Sequence, residues 1–205
     1  NHWHAGGICC LGDLLAVPLE GSKNRDGSVI IFYDMKDPKK PGLLPFSINR
    51  PGRKAGSIAM TKLKSGHYIL AVHYTDPTRG RALEFHFSKS NSLSEGFVES
   101  SVVWTVDDVE ADFDEDANFS DYQNIEFVRD TNGELYLIEG SCPHRGHPLD
   151  VATLQGGVIQ CALHHYQFAI ADGRLLHATE ERCRGLRTYR VVYEGNEVGV
   201  MLEEG

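Results

Sequence analysis

Basic residues are scarce in this chain: 20 Lys and Arg stand against 29 Asp and Glu, a formal charge of −9 over 205 residues. Binding nucleic acid requires a basic footprint that neutralises phosphates, so that class of function is disfavoured. Long apolar runs are missing too. No stretch approaches the roughly 18 apolar residues of a membrane-crossing helix, and no membrane anchor is expected. Helical periodicity is hardly present. No G-x-S-x-G elbow and no G-x-G-x-x-G or phosphate loop occurs, which leaves hydrolase chemistry and nucleotide or flavin binding without local support. Cysteines number only five. Cys9 and Cys10 are adjacent and so poorly placed to bridge each other, and Cys183 makes an odd remainder, which is no disulfide framework. A reducing, intracellular and by preference cytoplasmic setting is the expectation. The first residue is Asn1 and not methionine, as a fragment or a processed product would show.

What the chain does have is strands. Apolar or alternating runs at 14–17, 29–33, 57–60, 68–74, 82–87, 125–128 and 135–138 are separated by Gly, Asp-Pro and Asn-Gly turns, and an all-β fold is expected throughout. A faint repeat runs through them. Strand, glycine turn, strand recurs around Gly12, Gly66 and Gly133, at spacings of 54 and 67 residues. The first two copies are followed by outer strands at 29–34 and 83–87. Periods of this size with several strands per unit resemble β-propeller blades, although two and a fraction cannot close a ring of about four to eight. The third copy also reads as the hairpin leading into the site described next. Eight acids, Asp107, Asp108, Glu110, Asp112, Asp114, Glu115, Asp116 and Asp121, form a local acidic stretch that reads as a solvated linker. The expected boundary falls there: a propeller-like region of incomplete blades over 1–121 and a second β domain over 122–205.

The chemistry lies in the second part. Cys142-Pro143-His144 and Cys161-Ala162-Leu163-His164 together read C-x-H-x16-C-x2-H. Two thiolates and two imidazoles in two short loops are the donors of a Rieske centre, in which each loop gives one ligand to each iron. Pro148-Leu149-Asp150 ends the first loop, Gly156-Gly157 turns the chain back, and Val158-Ile159-Gln160 leads into Cys161, while Asp172-Gly173 makes a later hairpin turn. Both loops are therefore expected at hairpin tips. The rival reading is structural zinc, since Cys2His2 also makes a tetrahedral site, within a non-enzymatic propeller-like binding module. His2 and His4 form an H-x-H pair, but two histidines fall short of a stable site.

Residues 142–149, 161–168, Asp172-Gly173, Leu186 to Val191 and Gly195 resemble Rieske-type ferredoxins and the Rieske domains of ring-hydroxylating oxygenases, over about 122–205. The resemblance implies an antiparallel β domain with two cluster-binding loops and one Rieske-type 2Fe-2S cluster. Cys142 and Cys161 would bind one iron and His144 and His164 the other, both histidines exposed at the loop tips, with Gly146 keeping backbone close to the cluster. It also implies electron transfer between redox protein partners, a reductase and an acceptor or oxygenase, without a substrate-oxidising centre of the chain's own. A mononuclear iron site of two histidines and a carboxylate finds no matching run, and only 41 residues follow His164. Two departures stand out. His147 and Leu163 occupy the places of the extra cysteines that bridge the loops in some Rieske proteins, and His165 stands where glycine is common, which costs about 1 kcal/mol if that position needs positive φ. His147 and His165 are read as surroundings of the ligands, Arg145 as an exposed arginine, and Cys183 as a small buried side chain.

Overall fold

The computed structural model describes residues 2–21, 27–76, 80–105, 124–195 and 197–201. The acidic stretch and the proposed boundary at 121 lie outside the described residues, as does the His2 side chain. Among the described residues all regular structure is strand, apart from one short 3-10 turn at Leu93–Glu95. The chain divides into two compact units: residues 1–123 with 194–197, and residues 124–193 with 198–205.

The first unit holds two antiparallel sheets. One is built from β1 (His2–Ala5), β2 (Cys9–Leu11), β3 (Leu14–Gly21), β4 (Ser28–Asp34) and β5 (Gly42–Arg50), in the order β1-β3-β4-β5 with β2 also on β3. The other is a plain meander of β6 (Ser57–Lys62), β7 (Tyr68–Asp76), β8 (Gly80–Ser88) and β9 (Phe97–Thr105). The glycine turns expected at Gly12 and Gly66 join β2 to β3 and β6 to β7, with positive φ at both. Alternation works as anticipated in β4, whose Ile30 and Phe32 are fully buried. They share a core with Ile58, Met60, Leu70 and Val72, and the Phe32 ring stacks on Phe97 at 5.4 Å. A single isolated bridge, Gly7 with Ser57, links the two sheets, and among the described residues they form no closed ring.

Strand β5 carries Pro45, which has no N–H for a ladder. It is accordingly an edge strand, and its pairing with β4 slips between Ile31 and Tyr33, opposite the proline.

The second unit also holds two sheets. β10 (Ile125–Arg129), β11 (Leu135–Glu139), β16 (Thr188–Glu194) and β17 (Glu197–Met201) pair in that order, so β11 lies against β16 from far along the chain. The third sequence repeat is thus part of this non-local sheet and not a further run of consecutive strands. The other sheet, β12 (Thr153–Gln155), β13 (Val158–Gln160), β14 (Gln167–Ala169) and β15 (Leu175–His177), is a small meander. Gly173 is indispensable to the turn between β14 and β15. Its φ is +70°, and a Cβ there would lie 1.8 Å from the Leu186 carbonyl oxygen. The core of this unit packs Tyr136, Ile138, Leu149, Ile159, Phe168 and Ile170 around Cys142 and Cys161.

Candidate functional site

The Cys142 and Cys161 loops are the same turn made twice. In the first, the Cys142 N–H donates to the His147 carbonyl at 2.8 Å and the Gly146 N–H donates back to the Cys142 carbonyl at 2.8 Å. In the second, the Cys161 N–H donates to the Tyr166 carbonyl at 2.9 Å and the His165 N–H to the Cys161 carbonyl at 3.0 Å. The fourth residue after each cysteine needs positive φ, 70° at Gly146 and 59° at His165, the latter the one such non-glycine residue among those described. That is the strain the sequence pointed to. Gly146 answers this dihedral, and beyond its chain neighbours no described atom of the chain crowds the place where its Cβ would be. The second loop joins two paired strands, β13 and β14. The first passes from one sheet to the other and is closed only by the isolated bridge Ser141 with Pro148.

Both thiols are buried, Cys142 at 2% exposure and Cys161 at 0%. Burial pushes the Cys142 thiol up to about 11, with further upward pushes from Cys161 and Cys183, against a smaller downward pull from the His144 backbone N–H. A thiolate there requires a cation to offset its desolvation. Cys183 is half-buried against the same core.

The imidazoles differ from expectation. The His144 side chain is 1% exposed, so it is not an open tip, whereas His164 is half-buried between exposed Leu163 and exposed His165. The two rings meet edge to face at 4.9 Å, and His144 lies flat on Tyr166 with centroids 4.1 Å apart. A third segment, which the sequence reading passed over, covers this pair. The Tyr166 hydroxyl donates to the Glu181 carbonyl at 2.5 Å and accepts from the Glu180 N–H at 3.3 Å. The Thr179 hydroxyl donates to the His164 carbonyl at 2.6 Å. These bonds bring two carboxylates to His144: its Nε2 stands 3.4 Å from Glu180 Oε2 and 3.3 Å from Glu181 Oε1. Those are ion-pair distances, yet neither ring nitrogen has a hydrogen bond of acceptable geometry. Arg145 closes the group, with Nη2 at 2.9 Å from Glu180 and 3.4 Å from Glu181.

The expected cofactor, one Rieske-type 2Fe-2S cluster on Cys142, His144, Cys161 and His164, is corrected by this geometry. Among the described residues the metal-capable group whose donor atoms all lie within 4.8 Å of one another is His144, Glu180 and Glu181, not a Cys2His2 set. The four expected donors stand instead as a thiol pair and an imidazole pair, with His144 Nε2 turned to the carboxylates.

Of the other candidates, His4 Nδ1 lies 3.8 Å from Glu20. His165 Nδ1 lies 3.3 Å from the Gln160 amide, and Arg145 is half-exposed but paired. No disulfide forms among the described residues, and no helix among them is long and apolar enough to cross a membrane.

The family model described as "Rieske [2Fe-2S] domain" matches residues 99–190. The chain is 32% identical over 78 residues to the ferredoxin component of biphenyl 2,3-dioxygenase from Rhodococcus jostii, covering 38% of this chain and 71% of that protein. It is 32% identical over 73 residues to the ferredoxin component of the naphthalene 1,2-dioxygenase system from Pseudomonas aeruginosa, covering 36% and 68%. A third relative, 4beta-methylsterol monooxygenase from Methylococcus capsulatus, is 41% identical over 46 residues, which span 22% of this chain and only 12% of that enzyme. The chain belongs to the Rieske family of iron–sulfur proteins. Within it, the matched region is a small electron-carrier domain of ferredoxin type.

Proposed function

We propose that this chain passes single electrons from a reductase to the terminal component of an oxygenase system, and that Cys142, His144, Cys161 and His164 are the donors of its redox centre. The observation that carries the reading is the duplicated turn, which presents a cysteine at the same place in each loop, with both sulfurs buried in one core. Similarity to two dioxygenase ferredoxin components supports the choice of partners, and cysteines that form no disulfide among the described residues support a reducing, cytoplasmic setting. The role of this chain's residues is to bind and orient. Tyr166 holds the His144 ring by stacking, Thr179 ties down the His164 backbone, and the buried core excludes water from the sulfurs. Half-exposed His164 is the more open of the two imidazoles and is the exit towards an acceptor. The two sheets of the first unit are read as blade-like units of an incomplete propeller, and residues 1–121 and 122–205 as separate domains.

The test is iron content and a one-electron redox titration on the purified chain and on Cys142→Ser, Cys161→Ser, His144→Ala and His164→Ala. The wild type is expected to hold iron and to take up one electron reversibly, and each variant to lose that couple. A wild type without iron or couple overturns the function, and any variant that keeps the wild-type couple overturns the donor assignment.

A further inference from the structure

A cavity of about 500 Å3 lies at the junction of the two sheets of the first unit, and electron transfer makes no use of it. It borders the gap between the end of β1 at Ala5 and the start of β2 at Cys9, and His4, Glu20, Lys54, His73 and Thr75 line it. That volume suits a small organic molecule, for which cavities of about 300–1,000 Å3 are usual. We propose that this cavity binds a zwitterion of the α-amino acid class, its carboxylate on Lys54 and its ammonium on Glu20.

The backbone of the cavity argues against a phosphate group. Three glycines border it, and a phosphate cradle needs N–H groups turned to the ligand. Here they are spent: the Gly6 N–H donates to the Pro18 carbonyl at 3.1 Å, that of Gly7 to Gly56 at 2.8 Å and that of Gly56 to His73 at 2.9 Å. Gly6 serves close contact instead, since a Cβ there would lie 2.4 Å from the Ala55 carbonyl oxygen. Recognition therefore falls to side chains. Lys54 and Glu20 are both partly buried and carry opposite charges, yet each is anchored on backbone and not on the other. Lys54 Nζ donates to the Gly21 carbonyl at 3.1 Å, and Glu20 Oε1 accepts from the Ala55 N–H at 2.9 Å. Residues 20–21 and 54–55 thus clasp each other reciprocally, which fixes a cation and an anion in one cavity before any ligand arrives. The Lys54 carbonyl accepts in turn from buried Arg50, whose guanidinium lies 4.9 Å over the ring of Tyr74 in the cavity lining. Glu20 Oε2 remains, 3.8 Å from the exposed His4 ring, and an ammonium keeps donors beyond its one bond to Gly21. A simple anion would be repelled by Glu20 and a simple cation by Lys54, whereas a molecule carrying both charges close together satisfies both. The whole lining belongs to the first unit and the four proposed redox donors to the second, so binding here is read without reference to electron transfer.

The probes are the common L-α-amino acids, titrated singly into the full chain and followed by saturation-transfer NMR and calorimetry. At least one is expected to bind once per chain, saturating at or below about 1 mM. Its N-acetyl derivative, which lacks the ammonium, and its carboxamide, which lacks the carboxylate, are each expected to bind at least about tenfold more weakly, through loss of a charge-assisted hydrogen bond. Lys54→Met and Glu20→Gln are expected to weaken binding of the parent amino acid by a similar factor, with melting temperature as the check on the fold. Thr75→Trp fills the cavity from an exposed position outside the clasp, is expected to do the same, and decides the matter if either of the other variants fails to fold. Absence of saturable binding by every amino acid overturns the site. A derivative that binds as well as its parent overturns the zwitterion, and undiminished binding by a folded variant overturns the place assigned to it.

Discussion

Replacing Glu84 with glutamine should cost about 3 kcal/mol of stability at neutral pH, and the structure gives that figure by two routes. Glu84 on β8 and Arg50 on β5 are both fully buried and ion-paired. The same carboxylate accepts from His86 Nε2 at 2.8 Å and from Arg53 Nη1 at 2.6 Å. Arg50 also donates to the Ser28 hydroxyl at 2.8 Å and lies 4.9 Å over the Tyr74 ring. Burial alone would raise the Glu84 carboxyl, but the hydrogen bonds from His86 and Arg50 and their charges outweigh it and bring it down from 4.5 to about 2. At about 1.4 kcal/mol per pH unit that gap is about 3 kcal/mol. Removing one partner of a buried pair costs about 3–5 kcal/mol by direct analogy, because Arg50 would keep its charge with no anion beside it. The sign follows from the lowered value. The stabilisation is complete above pH 4.5 and is lost as pH falls towards 2, so wild type and Glu84→Gln should converge in acid. Urea unfolding followed by tryptophan fluorescence reads this unit selectively, since both tryptophans, Trp3 and Trp104, belong to it. A loss under about 1 kcal/mol at pH 7, or a difference that keeps its full size at pH 2, would refute the reasoning.

Two further perturbations test the second unit. Burial pushes the Glu126 carboxyl up to about 7, with a smaller pull down from the Asn124 amide and a push up from Asp150; the folded state therefore holds that proton more tightly, and stability falls as pH rises from about 4.5 to 7. Glu126→Gln should melt higher than wild type at pH 8 and alike at pH 4, and equal melting at both values would remove the claim. His165→Gly should relieve the +59° φ and gain about 1 kcal/mol, or a rise of about 4–8 °C in the melting temperature of this unit, and a fall would show that the side chain contributes more than the strain costs.

Much of the strand content was legible because alternation and turn glycines are local signals: Ile30 and Phe32 in β4 face the core as their spacing requires. Strands that broke the pattern were missed. Pro45 hid β5, which tolerates it only by being an edge. β9 has Glu99, Ser100 and Ser101 in its interior, and the whole of β12 is exposed. The third repeat misled because its hairpin, β10 and β11, looks like the earlier two. Its partner β16 lies some fifty residues on, and nothing local announces a pairing set by tertiary packing.

The site divides along the same line. Cysteine and histidine at fixed offsets are readable because donors in one tight loop must be close in sequence, and His165 showed itself as a side chain at a place that suits glycine. Glu180, Glu181 and Tyr166 could not be read that way. They reach His144 across 36, 37 and 22 positions, through a hydroxyl bonded to backbone and a stacked ring. The duplicated turn explains why the difference matters. Two loops with one hydrogen-bond scheme would present their histidines alike, but the cysteine-to-histidine offset is two residues in the first and three in the second. With the turn geometry equal, that single residue is enough for the two imidazoles to leave their loops at different points. His144 lies under the third segment against its carboxylates, and His164 stays half-open, so the inequality of the two rings follows from spacing that was visible in the chain from the start.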